Sequence, residues 1–224
     1  MRQIFCRHHC PPVPFTFVNH RRRSEKDISL KRHSLYELAV SEIIILIHEL
    51  SAVLWVHIAV FESTLRSFIH NALSAEYKTT HWWEESSLLT KRDQLDIEHA
   101  KRRLERRNLK VEPEAIISNL SLSFWVELFS KKYHSRIWMT VEKLFHSKPD
   151  RRFDFFLKAK CVRDLRNAIA HHAPILHRNL ERDLSYIQEL ISLLSPPLAE
   201  SLRNRSNVLN LINQLNEIPR VRSH

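Results

Sequence analysis

The sequence contains no glycine among its 224 residues, although average usage of about 7% would give roughly sixteen. Glycine supplies the positive-φ positions of tight hairpins and the close backbone approach of phosphate-binding loops. Its absence argues against a hairpin-rich β protein and against a glycine-rich nucleotide-binding loop. Long proline-free stretches rich in leucine, isoleucine, glutamate, arginine and alanine predict helices instead. We therefore expect an all-α fold.

Cysteine is also scarce, with three residues in the whole chain. Three cysteines do not make a disulfide framework, so a reducing, cytoplasmic setting is expected. Cys6 and Cys10 flank two histidines, but a structural zinc site usually needs a second pair of ligands, and none is visible in the sequence. We therefore predict no metal site.

Long uninterrupted apolar runs are missing as well. The most apolar window spans residues 43–61, and His48, Glu49 and His57 interrupt it. Because a glutamate in the middle of a bilayer is costly, this window predicts a buried core helix rather than a membrane span. No secretory signal is recognisable, since the apolar stretch at residues 15–18 is too short.

Positive charge is in excess, at +10 overall, and it is unevenly distributed. Residues 1–33 carry eight of the 35 Lys and Arg residues but only two of the 25 Asp and Glu residues. With three prolines and no apolar period, this segment is predicted to be a disordered basic leader. Residues 34–216 form the predicted helical domain, and residues 217–224 form a short tail.

Apolar residues spaced by three and four predict the helices of that domain. The predicted helices cover residues 90–108, 114–133, 137–145 and 153–172, followed by one around 184–194 and two short ones near the C-terminus. A single helix over residues 34–77 would be too long for a compact domain. We therefore expect a break near Val40 and Ser41, where the serine can cap a new helix.

Two clusters of basic residues lie inside the predicted domain. One contains Arg102, Arg103 and Arg106, and the other includes Lys160 and Arg163. Because lysine and arginine side chains neutralise phosphates, all five are candidate RNA-binding residues. The second cluster leads directly into the most informative stretch of the sequence.

That stretch, residues 166–171, places Arg166, Asn167 and His171 within one predicted helix. An arginine holds a fixed positive charge, and a histidine exchanges a proton near neutral pH. Together they suit chemistry on a phosphodiester, in which one group moves the proton and the other stabilises the developing charge. Asn167 lies four residues before His171 and can hydrogen-bond to its ring.

Helical periodicity divides this segment into two faces. At about 100° per residue, one polar face holds Arg163, Arg166, Asn167 and His171. His172 falls on the apolar side of the helix. It is therefore predicted to be a packed structural residue rather than a catalytic one.

The Arg-Asn-x-x-x-His spacing of residues 166–171 resembles the signature of HEPN-domain ribonucleases. The longer string 165–175 is similar to the Abi-like branch of that superfamily, the abortive-infection proteins of the AbiD and AbiF type. Residues 61–66, the paired tryptophans and residues 120–125 resemble further blocks of the family in order and distance, so that the resemblance covers residues 34–216. The chain departs from the pattern at Ser123, which stands where the family has a glycine, and at Ala173, where an acidic residue is often found.

The resemblance implies a HEPN-like helical bundle with extra helices and a metal-independent endoribonuclease without a cofactor. By this analogy His171 would act as general base or acid at the ribose 2′-hydroxyl, Arg166 would stabilise the transition state, and Asn167 would orient the histidine or the phosphate. The products would be a 2′,3′-cyclic phosphate and a 5′-hydroxyl. In such enzymes two motifs usually face each other across a homodimer. The family also implies a toxin-like anti-phage defence protein with RNA as its substrate, often held in check by an RNA or protein antitoxin.

Two other functions fit the same sequence. The basic segments 101–107 and 151–166 are compatible with a non-catalytic RNA-binding or regulatory module of the same fold. The aromatic residues Phe124, Trp125 and Phe129 are compatible with a purely structural interaction domain, although core packing is the simpler interpretation. Glu62 and Arg66, four residues apart, form either a plain surface ion pair or a group that lies behind the catalytic face, and a structural role is expected.

Overall fold

The structure, a computed structural model, describes residues 20–147 and 149–218, with side chains from residue 37 onward except residue 39. Within these residues it is all-helical and contains no strand, which confirms the predicted all-α class. The chain divides into two units, Met1–Glu42 and Ile43–His224, so the division falls nine residues after the predicted boundary. Residues 20–33 of the predicted leader belong to the first helix, whereas residues 1–19, which include Cys6 and Cys10, lie outside the described residues.

The first helix, α1, spans His20–Tyr77. The predicted break at Val40 and Ser41 is absent. The Ser41 hydroxyl donates to the carbonyl oxygen of Glu37, 2.9 Å away and one turn earlier, instead of capping a new helix. Serine hydroxyls bond in this way when they lie inside a helix, so a serine alone does not mark a helix start.

The most apolar part of α1 is buried on one face only. Leu50, Leu54 and Ile58 are buried in the core, whereas Ile45 and Val56 are more than half exposed. The prediction of a buried core helix is therefore correct for one face and wrong for the other. By length and composition, Val40–Tyr77 would be able to cross a membrane, with a mean hydropathy of 2.1 and 28% of its apolar window buried. One such helix is weak evidence, because core helices of soluble proteins pass the same test.

The remaining helices are shorter. They are α2 (Lys91–Arg106), α3 (Pro113–Ser118), α4 (Leu122–Glu127), α5 (Met139–Val141), α6 (Arg152–Ala170), α7 (Leu180–Leu194), α8 (Pro196–Arg205) and α9 (Val208–Glu217). Short 3-10 turns at Trp82–Glu84, Lys131–Tyr133 and Glu142–Leu144 and a π-helical turn at His134–Trp138 complete the pattern. The predicted helix over residues 114–133 is divided, because the Ser121 hydroxyl accepts the backbone N–H of Phe124 and starts α4 anew.

Three helices end without the glycine that usually terminates them. Lys78, Asn108 and His172, which follow α1, α2 and α6, have φ values of 55°, 52° and 52°. In each case the next backbone N–H donates to the carbonyl oxygen five residues back, as in a Schellman motif. This conformation costs a non-glycine residue about 1–2 kcal/mol. A chain without glycine therefore ends these helices at the expense of some backbone strain.

The core is built around α1, α4, α6 and α7, with α6 packed against both α4 and α7. Trp82, Trp125 and Phe129 are fully buried, and the Trp82 and Trp125 rings lie 6.4 Å apart. The prediction that Phe124, Trp125 and Phe129 are core residues is confirmed. This packing fixes α6, which carries the sequence motif, against its neighbours.

Candidate functional site

The motif occupies the last turn and the end of α6. Arg166 and Asn167 belong to the helix, which ends at Ala170, and His171 is its C-cap residue with φ −100° and ψ 11°. The periodicity used for the sequence prediction therefore stops before His171 and His172. Both histidines are exposed, so the prediction that His172 is a packed residue at the core or its edge is wrong. Its positive φ turns the chain out of the helix instead.

Arg166 is held by residues of α1. Its guanidinium carbon lies 5.4 Å from the centroid of the Trp55 ring, within the range of a cation–π interaction. Its Nε lies 3.9 Å from Oε2 of Glu62. The side chain keeps 31% of its surface exposed, so it is oriented by α1 and still accessible from solvent.

Glu62 serves two arginines at once. Its Oε1 lies 3.7 Å from a terminal nitrogen of Arg66, while its Oε2 faces Arg166. The expected pair between Glu62 and Arg66 is present, but it belongs to a larger group that includes the motif arginine. We call Trp55, Glu62, Arg66 and Arg166 the Arg166 cluster. Two arginines and one carboxylate give it a net charge of +1.

The polar groups of the Arg166 cluster are only partly satisfied. The Nε atoms of Arg66 and Arg166 are buried and have no hydrogen-bond partner among the described residues. Both ion pairs are longer than a hydrogen bond, at 3.7 and 3.9 Å. The guanidinium groups are thus attracted to Glu62 without being saturated by it. The exposed part of the Arg166 guanidinium is therefore able to bind an anion such as a phosphate.

Asn167 and His171 carry no side-chain hydrogen bond to any described residue. The backbone N–H of His171 donates to the carbonyl oxygen of Asn167 at 3.0 Å, as at a helix end. The sequence allowed a bond from the Asn167 amide to the His171 ring, and the structure does not form it. The ring of His171 is exposed and therefore accessible from solvent.

Arg163, which shares the polar face in the sequence prediction, is paired with carboxylates. It donates to Asp164 at 2.9 Å and to Glu127 at 3.4 Å, and 16% of its side chain is exposed. Lys160, one turn earlier, is exposed and forms no ion pair with any described residue. Of these two candidate RNA-binding residues, only Lys160 therefore presents an uncompensated charge.

The other predicted basic cluster lies on α2. Arg102, Arg103 and Arg106 are exposed and, with His99 and Glu105, line a depression of about 480 Å³. Arg103 also donates to the backbone carbonyl oxygen of Asn119 at 2.6 Å. None of the hydrogen bonds or ion pairs of these three arginines involves α6. The three arginines thus line one depression, whose lining includes no residue of the motif.

Arg178, which sequence reasoning missed, fixes the chain that leaves the motif. Its Nε donates to Asp183 at 2.6 Å and a terminal nitrogen donates to the carbonyl oxygen of Cys161 at 3.2 Å. Asp183 is completely buried at the start of α7. The loop after His172 is thereby tied to both α6 and α7. No sequence signal marks this contact, because its partners come from two different helices.

A groove adjoins the motif on the α1 side. It has a volume of about 660 Å³ and its lining includes Ile44, His48, Trp55, Ile169, His172 and Pro174. Its walls are mostly apolar. Trp55 belongs to both the groove and the Arg166 cluster. Among the described residues no group of three or more His, Cys, Asp or Glu side chains is placed to hold a metal ion.

Comparison of the chain with protein-family models, with curated proteins and with solved structures gives no match in any of the three.

Proposed function

We propose that the protein is a metal-independent endoribonuclease of the HEPN type. The observation that carries this proposal is the placement of Arg166 between Trp55 and Glu62 with an exposed, unpaired His171 just beyond it. An accessible guanidinium and an exposed imidazole five residues apart in the chain suit phosphodiester cleavage, in which one group stabilises the developing charge and the other moves the proton. The Arg-Asn-x-x-x-His spacing supports the same assignment.

In the proposed reaction His171 accepts the proton of a ribose 2′-hydroxyl. The 2′-oxygen attacks the adjacent phosphorus, a 2′-O–P bond forms and the P–O5′ bond breaks. The leaving 5′-oxygen takes a proton from solvent or from an imidazolium. The products are a 2′,3′-cyclic phosphate and a 5′-hydroxyl. Arg166 stabilises the charge on the pentavalent transition state, and Asn167 is proposed to orient the phosphate.

A second copy of the chain is the proposed partner. The apolar exposed face of α1, with Ile45 and Val56 more than half exposed, supports this proposal, because exposed apolar surface of this kind favours burial against another protein. A homodimer of this kind would supply a second His171. The proposed setting is the cytoplasm, and the proposed role is a toxin-like anti-phage defence protein controlled by an RNA or protein antitoxin.

The decisive assay incubates single-stranded RNA with the purified protein in the presence of EDTA. We expect cleavage with cyclic-phosphate ends by the wild type and a loss of at least about 100-fold in His171→Ala, the scale of general acid–base catalysis. His177→Ala is the matched control, since it removes another exposed imidazole from the loop that follows the motif and should retain activity. Equal cleavage by wild type and His171→Ala, or no cleavage of any RNA tested, would reject the proposal.

The alternative function is a non-catalytic RNA-binding module of the same fold. The exposed arginines of α2 favour it, because they line one depression and neither Arg102 nor Arg106 is paired with a carboxylate of a described residue. Replacing both by glutamine should flatten the dependence of RNA affinity on salt concentration. If Arg166→Ala abolishes toxicity in growing cells while RNA affinity is unchanged, this alternative is excluded.

A further inference from the structure

Trp55 differs from every other tryptophan in the chain. Of the five tryptophans, Trp82, Trp83, Trp125 and Trp138 are at most 3% exposed, whereas Trp55 is 39% exposed. An indole left in water forgoes a large gain in burial free energy, because an aromatic side chain buries about 150–250 Å². Part of the ring is therefore available to stack against a ligand.

The exposed ring lies between a positive charge and an apolar groove. The guanidinium of Arg166 lies against the Trp55 ring, and Trp55 also lines the groove, whose lining does not include Arg166. The indole thus separates the two. A ligand that reaches both must carry a negative group and a flat apolar group close together.

A nucleotide of single-stranded RNA has this structure, since one ribose joins its phosphate to its base. We propose that the groove is a nucleobase subsite, in which the base next to the scissile phosphate leaves its stack and packs on Trp55 while the phosphate lies at Arg166. This inference rests on the proposed RNA chemistry at that arginine and specifies its substrate as unpaired RNA.

The groove has room for a base and carries polar groups that can contact its edges. Its volume of about 660 Å³ falls within the roughly 300–1,000 Å³ of small-ligand sites. His48, Ser51 and His172 add polar groups to otherwise apolar walls. Side chains of this kind can hydrogen-bond to the edges of an unpaired base while an aromatic ring covers its face. The net charge of +1 on the adjacent Arg166 cluster complements the phosphate.

Affinity measurements test the subsite without requiring cleavage. With His171→Ala as the background, so that the RNA stays intact, we expect Trp55→Ala to weaken binding of a short single-stranded oligoadenylate about 5- to 150-fold, the effect of losing one stacked base. Trp55→Phe should retain most of the affinity. Phe153→Ala removes an exposed aromatic side chain at the other end of α6 and should have no effect.

An abasic substitution at one position of the oligoadenylate provides the second arm. The missing base should weaken binding to the protein that keeps Trp55 by about the same factor as Trp55→Ala does. It should weaken binding to Trp55→Ala by less than about twofold, because the stacking partner is already lost. An abasic penalty that is the same in both proteins would overturn the subsite. So would equal losses from Trp55→Ala and Phe153→Ala.

A fluorescence measurement keeps the test valid if Trp55→Ala fails to fold. Oligoadenylate should quench the tryptophan fluorescence of the His171→Ala protein that keeps Trp55, but not that of the same protein with Trp55→Phe. Equal quenching in both proteins would contradict the subsite. If Trp55→Ala instead alters only sedimentation of the protein, the groove is an interface between copies and the inference is wrong. If RNA stacks on Trp55 but is never cleaved, the proposed nuclease function is wrong. If RNA is cleaved equally well with and without Trp55, only the subsite is wrong.

Discussion

The Arg166 cluster and a second polar cluster around Asp93 each join helices that are far apart in sequence, but they satisfy their polar groups to different degrees. In the second cluster, which we call the Asp93 cluster, Asp93 accepts hydrogen bonds from the hydroxyls of Thr90 and Tyr133 and from Lys132. Asp93 is 4% exposed. In the Arg166 cluster the carboxylate lies 3.7–3.9 Å from its cations and two buried Nε atoms have no partner.

The difference separates polar groups that stabilise the fold from groups that remain available. The Asp93 cluster, whose buried carboxylate accepts three hydrogen bonds, stabilises the structure through those bonds. An open cluster next to a groove contributes less to stability and can exchange its weak internal attractions for a bound anion. The comparison predicts that substitutions in the Arg166 cluster reduce activity with little effect on stability. Substitutions in the Asp93 cluster should reduce stability with little effect on activity.

The largest effect, a loss of activity, is expected for Arg166→Gln in the Arg166 cluster. Cleavage should fall about 10²–10³-fold, the scale of removing one donor to a charged transition state, while the free energy of unfolding changes by less than about 1 kcal/mol. RNA cleavage rates and urea denaturation measure the two quantities. Arg163→Gln is the control on the same helix, and it should lose little activity because Glu127 and Asp164 already occupy its guanidinium. Equal losses of cleavage in Arg166→Gln and Arg163→Gln would show that the two arginines do not differ in function.

The next largest effect, a loss of stability, is expected for Tyr133→Phe in the Asp93 cluster. The hydroxyl donates to Asp93 and accepts the backbone N–H of Thr90 at 3.1 Å, so its loss should lower the free energy of unfolding by about 1–3 kcal/mol. Cleavage should be unchanged. Tyr186→Phe is the control, because the Tyr186 hydroxyl has no hydrogen bond to a described residue. If Tyr133→Phe reduces cleavage without reducing stability, the Asp93 cluster is not merely structural.

Alkaline pH tests the same hydroxyl in the unmodified protein. Burial, together with the hydrogen bond to Asp93, raises the pKa of Tyr133 to about 12 from its usual value of 10.0. Since the neutral form is favoured in the folded state, the stabilisation is fully present below pH 10 and is lost as pH rises through about 12. Stability curves of wild type should therefore fall in this window relative to Tyr133→Phe. Parallel curves would contradict the assignment.

A smaller effect is expected for Glu62→Gln. The amide keeps the shape of the carboxylate but removes its attraction for Arg66 and Arg166, so the motif arginine is less well oriented. The cluster charge rises from +1 to +2, and RNA binding should not weaken. We expect kcat to fall about tenfold with KM unchanged or lower. Glu49→Gln, on the same helix but outside the cluster, should alter neither constant. A rise in KM without a change in kcat would show that Glu62 contributes to binding rather than to positioning.

Much of the fold was predictable because it depends on local signals. The predicted helices at 90–108 and 153–172 correspond to α2 and α6 within two residues at each end, since apolar spacing and Pro174 are both local. The aromatic core followed from the same periodicity. The division of residues 114–133 was missed because Ser121 was not recognised as a helix start.

The site was predictable only in part, for two physical reasons. The end of α6 has no glycine to mark it, and His172 adopts the positive φ that a glycine usually supplies. The helical wheel was therefore extended past Ala170 and placed His172 in the core. The second reason is distance along the chain. Trp55 and Glu62 meet Arg166 only in the folded structure, and no local pattern relates them.

The smallest effect, a change in the pH dependence of stability, is expected at a buried contact outside both clusters. There the indole N–H of Trp82 donates to Nδ1 of His70, 3.1 Å away. Burial lowers the pKa of His70 below its usual value of 6.5, although the charge of Glu114 opposes the shift. Because the folded state favours the neutral ring, its stabilisation is complete above pH 6.5 and is lost as pH falls below that value. His70→Gln should remove this pH dependence, whereas His99→Gln, on the exposed face of α2, should not. Stability curves that run parallel for wild type and His70→Gln between pH 7 and pH 5, the range in which an ordinary histidine titrates, would show that the buried imidazole is as easily protonated as a free one.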